Sequence, residues 1–208
     1  MKKFITPQEN FWASEFGDSY TERNNVSKNI SCRTALFSKI LSNTFGIKKV
    51  LELGANIGHN LMVINNLIPD LALTGVEINE KAVEEMKKIP NVNAIHSSML
   101  EINISNLGKF DLTFTSGALI HINPDFLNHV YEILYQCSNK YILIMEYYNP
   151  TPIVVDYRNN KDRLFKRDFA GEILSKYTDL ELLRYGFQYH RDNNFPLDDI
   201  TWFLIKKN

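Results

Sequence analysis

Apolar residues along this chain recur with two alternating periods. Short apolar runs at Lys49–Gly54, Ala72–Ile78, Val92–Ser97, Phe110–Ser116 and Tyr141–Tyr147 predict strands. The stretches between them have a helical period. Ile57, Leu61, Ile64 and Ile68 follow at spacings of four, three and four residues, one stripe of a helix, and Pro69-Asp70 stops it. Asn79 is placed to cap the next helix, where Val83 and Met86 share a face and Glu80, Glu84, Lys87 and Lys88 point outward. Phe126, Val130, Ile133, Leu134 and Cys137 form a third stripe, with Asn123-Pro124 as cap and first turn. Strands alternating with helices predict an α/β domain whose parallel sheet is covered on both faces.

The two ends depart from this rhythm. Leu180–His190 and Ile200–Lys206 both read as strands, with only the polar stretch Arg191–Asp199 between them. A connection that short, with no helix, predicts an antiparallel pair. Residues 1–45 hold helical pieces before the sheet begins and predict a helical cap over a site or a sheet edge. No repeat or low-complexity linker divides the chain, so residues 1–208 read as a single domain.

Composition narrows the partners. With 208 residues and 44% hydrophobic content the chain can fill one core. A formal net charge of −1 gives no electrostatic case for nucleic acid or an anionic membrane surface. Cys32 and Cys137 form no metal-ligand spacing and read as buried free thiols, and no metal site is expected. The first residues lack the apolar core of a signal peptide, and no run is long enough to cross a bilayer. The expectation is a cytoplasmic protein.

The chemistry concentrates in Glu52-Leu53-Gly54-Ala55-Asn56-Ile57-Gly58, with Glu77 closing the second strand about twenty residues later. A glycine turn between strand and helix lets backbone approach a ligand, and the acidic residue can accept hydrogen bonds from ribose hydroxyls. An adenosine-containing cofactor follows. A dinucleotide fingerprint wants glycine where Asn56 stands, and a P-loop wants Lys-Ser/Thr where His59-Asn60 stands. S-adenosylmethionine (SAM) has no phosphates, and the looser turn is enough for it.

Those residues, with Phe110–Ile122, resemble the first, second and fourth motifs of class I SAM-dependent methyltransferases over roughly residues 48–208. The resemblance implies a Rossmann-like fold: a mostly parallel seven-stranded sheet with a C-terminal antiparallel hairpin. It implies that Gly54, Ala55 and Gly58 line the methionine and ribose side, with Glu52 and Asn56 also among the cofactor-binding residues. Glu77 would hold the ribose, and Ile78 would pack on the adenine beside Ser98 and Met99. Ser98 stands where many family members carry an acidic residue. Thr115 and Ser116 would lie near the methyl group. Further stretches, Phe11–Asn24, Glu146–Pro152 and Lys161–Glu172, are similar to the methylase family found with pseudaminic acid biosynthesis genes. That similarity implies a small acidic sugar as acceptor: a nonulosonic acid such as pseudaminic or legionaminic acid, its precursor or its activated form, methylated on O or N.

Methyl transfer is an in-line displacement, to which proximity and orientation contribute up to ~7–11 kcal/mol. A base is needed where the acceptor must lose a proton. His121, after the fourth strand, and Glu146, at the end of the fifth, are the candidates. Tyr147, Tyr148 and Asn149 follow at the carboxyl end of that strand, where open α/β sheets bind ligands. Residues 150–178 then read as an acceptor lid whose basic cluster (Arg158, Lys161, Arg163, Lys166, Arg167) could hold a carboxylate or phosphate. Asp156, Asp162 and Asp168 could instead balance it as a solvated face. Trp12, Phe16, Tyr20, Arg23 and Asn24 could close over the cofactor, with Tyr20 or Arg23 reaching its carboxylate; His190 could face the same mouth. The Asp/Asn-Pro-Pro-Tyr/Phe element of exocyclic-amine methylation in nucleic acids is missing after the fourth strand. A non-catalytic SAM-binding module, a methyltransferase for another metabolite, and a nicotinamide-dependent reductase remain open alternatives.

Overall fold

The computed structural model describes residues 4–24 and 30–208. Residues 1–3 and 25–29 of the expected cap, and the side chain of Asn24, lie outside the described residues. Strands β1 (Lys49–Leu53), β2 (Ala72–Glu77), β3 (Val92–His96), β4 (Phe110–Ser116), β5 (Ser138–Glu146), β8 (Leu180–Gln188) and β9 (Ile200–Lys207) form one seven-stranded sheet in the order β3-β2-β1-β4-β5-β9-β8. β1 to β5 pair in parallel; β9 pairs antiparallel to both β5 and β8. The order reverses between β1 and β4, which opens a crevice at their carboxyl ends.

Side-chain alternation builds two cores. Leu51, Leu53, Ile142, Ile144 and Ile205 point to one face, under α7 (Leu127–Cys137) and α8 (Phe169–Lys176). Val50, Leu112, Phe114, Leu143 and Leu204 point to the other, under α3 (Ile30–Leu41), α4 (His59–Leu67) and α5 (Glu80–Met86). The Asn79 cap forms as expected, its side chain accepting from Ala82 N. Asn123 caps a 3-10 turn, Pro124–Phe126, and α7 starts only after it. A short α6 (Ile104–Leu107) precedes β4. Cys32 and Cys137 are buried and free.

Two features lie over the crevice. The first is the N-terminal pair α1 (Pro7–Trp12) and α2 (Glu15–Asn24). α1 begins with a capping box, Thr6 and Glu9 exchanging hydrogen bonds. The second is a hairpin that strand periodicity does not reveal: β6 (Ile153–Tyr157) and β7 (Asn160–Lys166). Its two-residue turn places Arg158 and Asn159 at φ 49° and 65°, the left-handed pair that a tight hairpin requires. The expected lid of residues 150–178 is therefore two things. Its first half is this hairpin. Its second half holds α8, whose Phe169, Ala170 and Ile173 are core residues. α1 and the hairpin interlock: Gln8 Nε2 donates to the Asp162 carbonyl at 2.9 Å, and the Arg163 guanidinium lies 5.3 Å from the Phe11 ring centre.

Candidate active site

The turn after β1 sets the geometry. Gly54, Asn56 and Gly58 have φ of 76°, 48° and 79°. Asparagine tolerates the left-handed region, which explains why Asn56 can stand where a glycine would be expected. Its side-chain oxygen accepts from Ile57 N at 2.7 Å. Gly54 faces ligand space, and a Cβ there would come within 2.6 Å of the Ala118 Cβ. Gly58 is required by packing instead: a Cβ would meet Ile89 and Met86 side chains at 2.7 and 2.9 Å.

One cleft crosses the carboxyl ends of β1, β2 and β4 beneath α1. Gly54, Asn56, Glu77, Ile78, Ser98, Met99, Tyr20 and His121 line it, as do Glu9, Trp12, Ser116 and Gly117. At Gly54, Asn56, Tyr20, Ser116, Gly117 and His121 it is shared with a second, more polar chamber. That chamber adds Glu52, Ala55, Tyr147 and Arg158, together with Arg33, His59, Tyr157 and Asp198. A third cavity adjoins it through Arg33, Ser116, Asp198 and Ile200, and His190 lines that one. His190 is otherwise paired with Asp199, Nδ1 to Oδ1 at 2.8 Å.

Each acidic group in the crevice has its own environment. The Glu77 carboxylate accepts from the backbone N–H groups of Asn56, Ile78 and Asn79 at 2.8–2.9 Å. A carboxylate has about four acceptor positions, so one remains for a ligand. Burial raises its pKa against the pull of those donors. Glu52 is 1% exposed and accepts from Asn60 Nδ2 at 2.6 Å, while its other oxygen has no partner. Burial pushes it up to about 8. Arg33 Nη1 donates to Asn60 Oδ1 at 2.5 Å, which brings a guanidinium to the same corner.

His121 stands at the junction of cleft and chamber. Its Nδ1 lies 2.6 Å from the Arg163 carbonyl, which can only accept. The hydrogen is therefore on Nδ1, and Nε2 carries the lone pair. Burial lowers its pKa to about 4, so the ring is neutral at physiological pH. Trp12 and Tyr157 flank it at 4.5 and 4.9 Å between ring centres. Glu146 does not line the cleft. Its carboxylate accepts from Ala118, Leu119 and Ile120 N at 3.0–3.3 Å, and burial raises its pKa to about 7. It holds the loop that carries His121.

The other expected residues fall outside the cavities. Thr115 is buried within β4. Tyr148 is exposed, its ring 5.9 Å from that of Phe203. Asn149 Nδ2 donates to the Thr151 carbonyl in a turn. Arg163 donates to the Lys161 and Asp162 carbonyls. In the basic cluster, Arg167 pairs with Glu172 at 2.6 Å, and Lys166 lies 5.2 Å from the Tyr147 ring centre. Arg158 is the member that lines the chamber.

Sequence pattern does not single out Arg33, Tyr157 or Asp198. Glu9 carries a readable signal, the Thr-x-x-Glu start of a helix, but nothing in it points to a ligand.

No family model matches the chain. An uncharacterized protein of Rickettsia prowazekii is 28% identical over 111 residues, which are 50% of this chain and 44% of that protein; the chain spans under half the length of this curated relative. Among solved structures, the 1,6-didemethyltoxoflavin-N1-methyltransferase of Burkholderia thailandensis has a TM-score of 0.72 at 13% identity, covering 100% of this chain and 93% of its own. That structure holds 1,6-didemethyltoxoflavin and S-adenosylhomocysteine (SAH). The magnesium protoporphyrin IX methyltransferase of Synechocystis PCC 6803 with bound SAH follows at 0.68 and 13%, covering 96% and 97%. The plantazolicin methyltransferase with SAH gives 0.67 and 15%, covering 97% and 94%. At these identities the likeness is one of architecture, and by its strand order and its reversal point the chain has the Rossmann-like class I methyltransferase fold.

Proposed function

We propose that the chain is a SAM-dependent methyltransferase acting on a small molecule. The observation that carries this reading is the continuous passage from the cleft beneath α1, past Glu77 and Gly54, into the chamber under the hairpin, with His121 at the junction. Its parts suit the cofactor in chemistry. Glu77 retains one acceptor position for a ribose hydroxyl. Glu52 has a buried oxygen without a partner, suited to an ammonium, and Arg33 beside it suits a carboxylate. Ile78, Val76 and Met99 offer apolar surface to a base. When bound, SAM supplies a methyl group activated by a sulfonium.

The chain's residues supply the rest. α1 and the hairpin cover the junction and leave His121 9% exposed. The faces of Trp12, Tyr20 and Tyr157 suit a cationic centre. Nε2 of His121 can take a proton from an acceptor hydroxyl, a contribution of roughly 10²–10⁴-fold. Glu146 acts through the loop it anchors and is a positioning residue.

The finer reading, an acidic sugar of the nonulosonic class, is supported by Arg158 at the hairpin tip and by the chamber's tyrosine phenols, which can hydrogen-bond sugar hydroxyls. Transfer of labelled methyl from SAM to a panel of nonulosonic acids, free and nucleotide-activated, tests it. Label in one of these, with its Michaelis constant raised by Arg158→Glu, is the expected result. Turnover of neutral small molecules alone would remove the sugar and leave the methyltransferase.

A further inference from the structure

We propose that Glu9, brought in by α1, reads the base edge of the cofactor and selects an exocyclic amine there over a carbonyl. This rests on the methyltransferase reading of the cleft. With ribose at Glu77 and transfer at His121, the base falls at the remaining end, between Ile78, Met99, Ser98 and α1. The Glu9, Ser98 and Gln8 side chains at that end present acceptors, while the unpartnered Trp12 Nε1–H on α1 belongs to a ring packed against His121. Glu9 is 4% exposed. One of its oxygens accepts from Thr6 N at 2.7 Å and from the Thr6 hydroxyl at 3.0 Å; the other accepts from the Ser98 hydroxyl. Three of about four acceptor positions are filled, and one is left for a ligand.

Ser98 has committed its hydrogen to Glu9, and its oxygen accepts from Leu100 N at 3.0 Å. Gln8, 5% exposed, lines the same end; its Nε2 is held by the Asp162 carbonyl and its Oε1 has no partner. An end rich in acceptors matches the two hydrogens of an adenine amine. It opposes the carbonyl of hypoxanthine, whose oxygen would face a buried carboxylate without a donor.

A purely structural account of Glu9 exists, because its bonds to Thr6 form the capping box of α1. Glutamine serves in a capping box as well as glutamate. Glu9→Gln therefore separates the two roles. The amide oxygen must face Thr6 N, which turns the NH2 toward the base.

The test is calorimetric binding of SAH and of S-inosylhomocysteine, which carries a carbonyl in place of the amine, to wild type and to Glu9→Gln. Wild type is expected to prefer SAH by about 10–100-fold, the range of a hydrogen bond to a charged group. In Glu9→Gln, with melting unchanged, the preference is expected to narrow to about threefold or less. Equal affinity of wild type for the two ligands overturns the proposal without any variant. A wild-type preference retained in Glu9→Gln overturns it too and leaves Glu9 as a cap. Failure of wild type to bind either ligand overturns the methyltransferase reading itself, and this inference with it.

Discussion

Glu52→Gln isolates the buried acid at the heart of the site. The wild-type side chain is 1% exposed, is held through one oxygen by Asn60, and has its pKa pushed up to about 8 by burial. An unfolded chain releases this proton near the ordinary carboxylate value of 4.5. Between those values the folded state holds the proton and the unfolded state does not. The stability contributed by this group is complete at acid pH and declines by ~1.36 kcal/mol per pH unit as pH rises toward the folded value. From about pH 6 to about pH 8 the loss is roughly 2 kcal/mol, allowing for half-ionisation at the upper end. Glutamine keeps the shape and the Asn60 contact and has no proton to release.

Urea unfolding of both proteins at the two pH values gives the comparison. The stability of wild type relative to Glu52→Gln should fall by roughly 2 kcal/mol across that window. Saturating SAH should flatten the wild-type trend, because an ammonium against the free oxygen favours the ionised form. Parallel pH curves for the two proteins would refute the reasoning.

Gly54→Ala forces an alanine to φ 76° and sets its Cβ 2.6 Å from the Ala118 Cβ. The left-handed conformation costs roughly 1–2 kcal/mol and the crowding about 1–3 more, so thermal melting should fall by roughly 5–15 °C and SAH affinity with it; an unchanged melt contradicts the turn geometry. His121→Gln should lower kcat by about 10²–10⁴-fold for a hydroxyl acceptor and leave SAH affinity unchanged. Because burial keeps His121 neutral down to about pH 4, wild type should show no histidine limb in the usual range. A limb near pH 6.5 that vanishes in His121→Gln would contradict this, whereas an inflection near pH 7–8 that survives the variant is the one expected of Glu146 and Glu52, whose pKa values burial raises to about 7 and about 8.

How much was legible follows from where each signal lives. The seven sheet strands announce themselves because alternating apolar residues feed two cores, so Leu51 and Leu53 go one way and Val50 the other. The antiparallel end was readable from the short link between β8 and β9. The β6–β7 hairpin was not, because its turn is Arg158-Asn159 rather than a glycine pair and its only core residues, Leu164 and Phe165, are adjacent and make no alternating pattern. Gly54 and Glu77 fall where a βαβ unit puts them, since local backbone geometry decides their placement.

Arg33, Tyr157 and Asp198 meet through tertiary packing from three separate regions of the chain, and no local spacing encodes that. Glu146 sits at the strand end, as expected, but the loop after β4 folds back on its carboxylate. Arg163 shows the same limit: its guanidinium goes to local carbonyls and the Phe11 ring, and its backbone carbonyl fixes the His121 tautomer.

The central claim is that the cleft beneath α1 holds SAM. Calorimetric titration of the folded protein with SAH, with NAD as the competing ligand, tests it most directly. The account predicts one SAH per chain, undisturbed by NAD. A folded protein that gives no heat with SAH, or that binds NAD in its place, would contradict it.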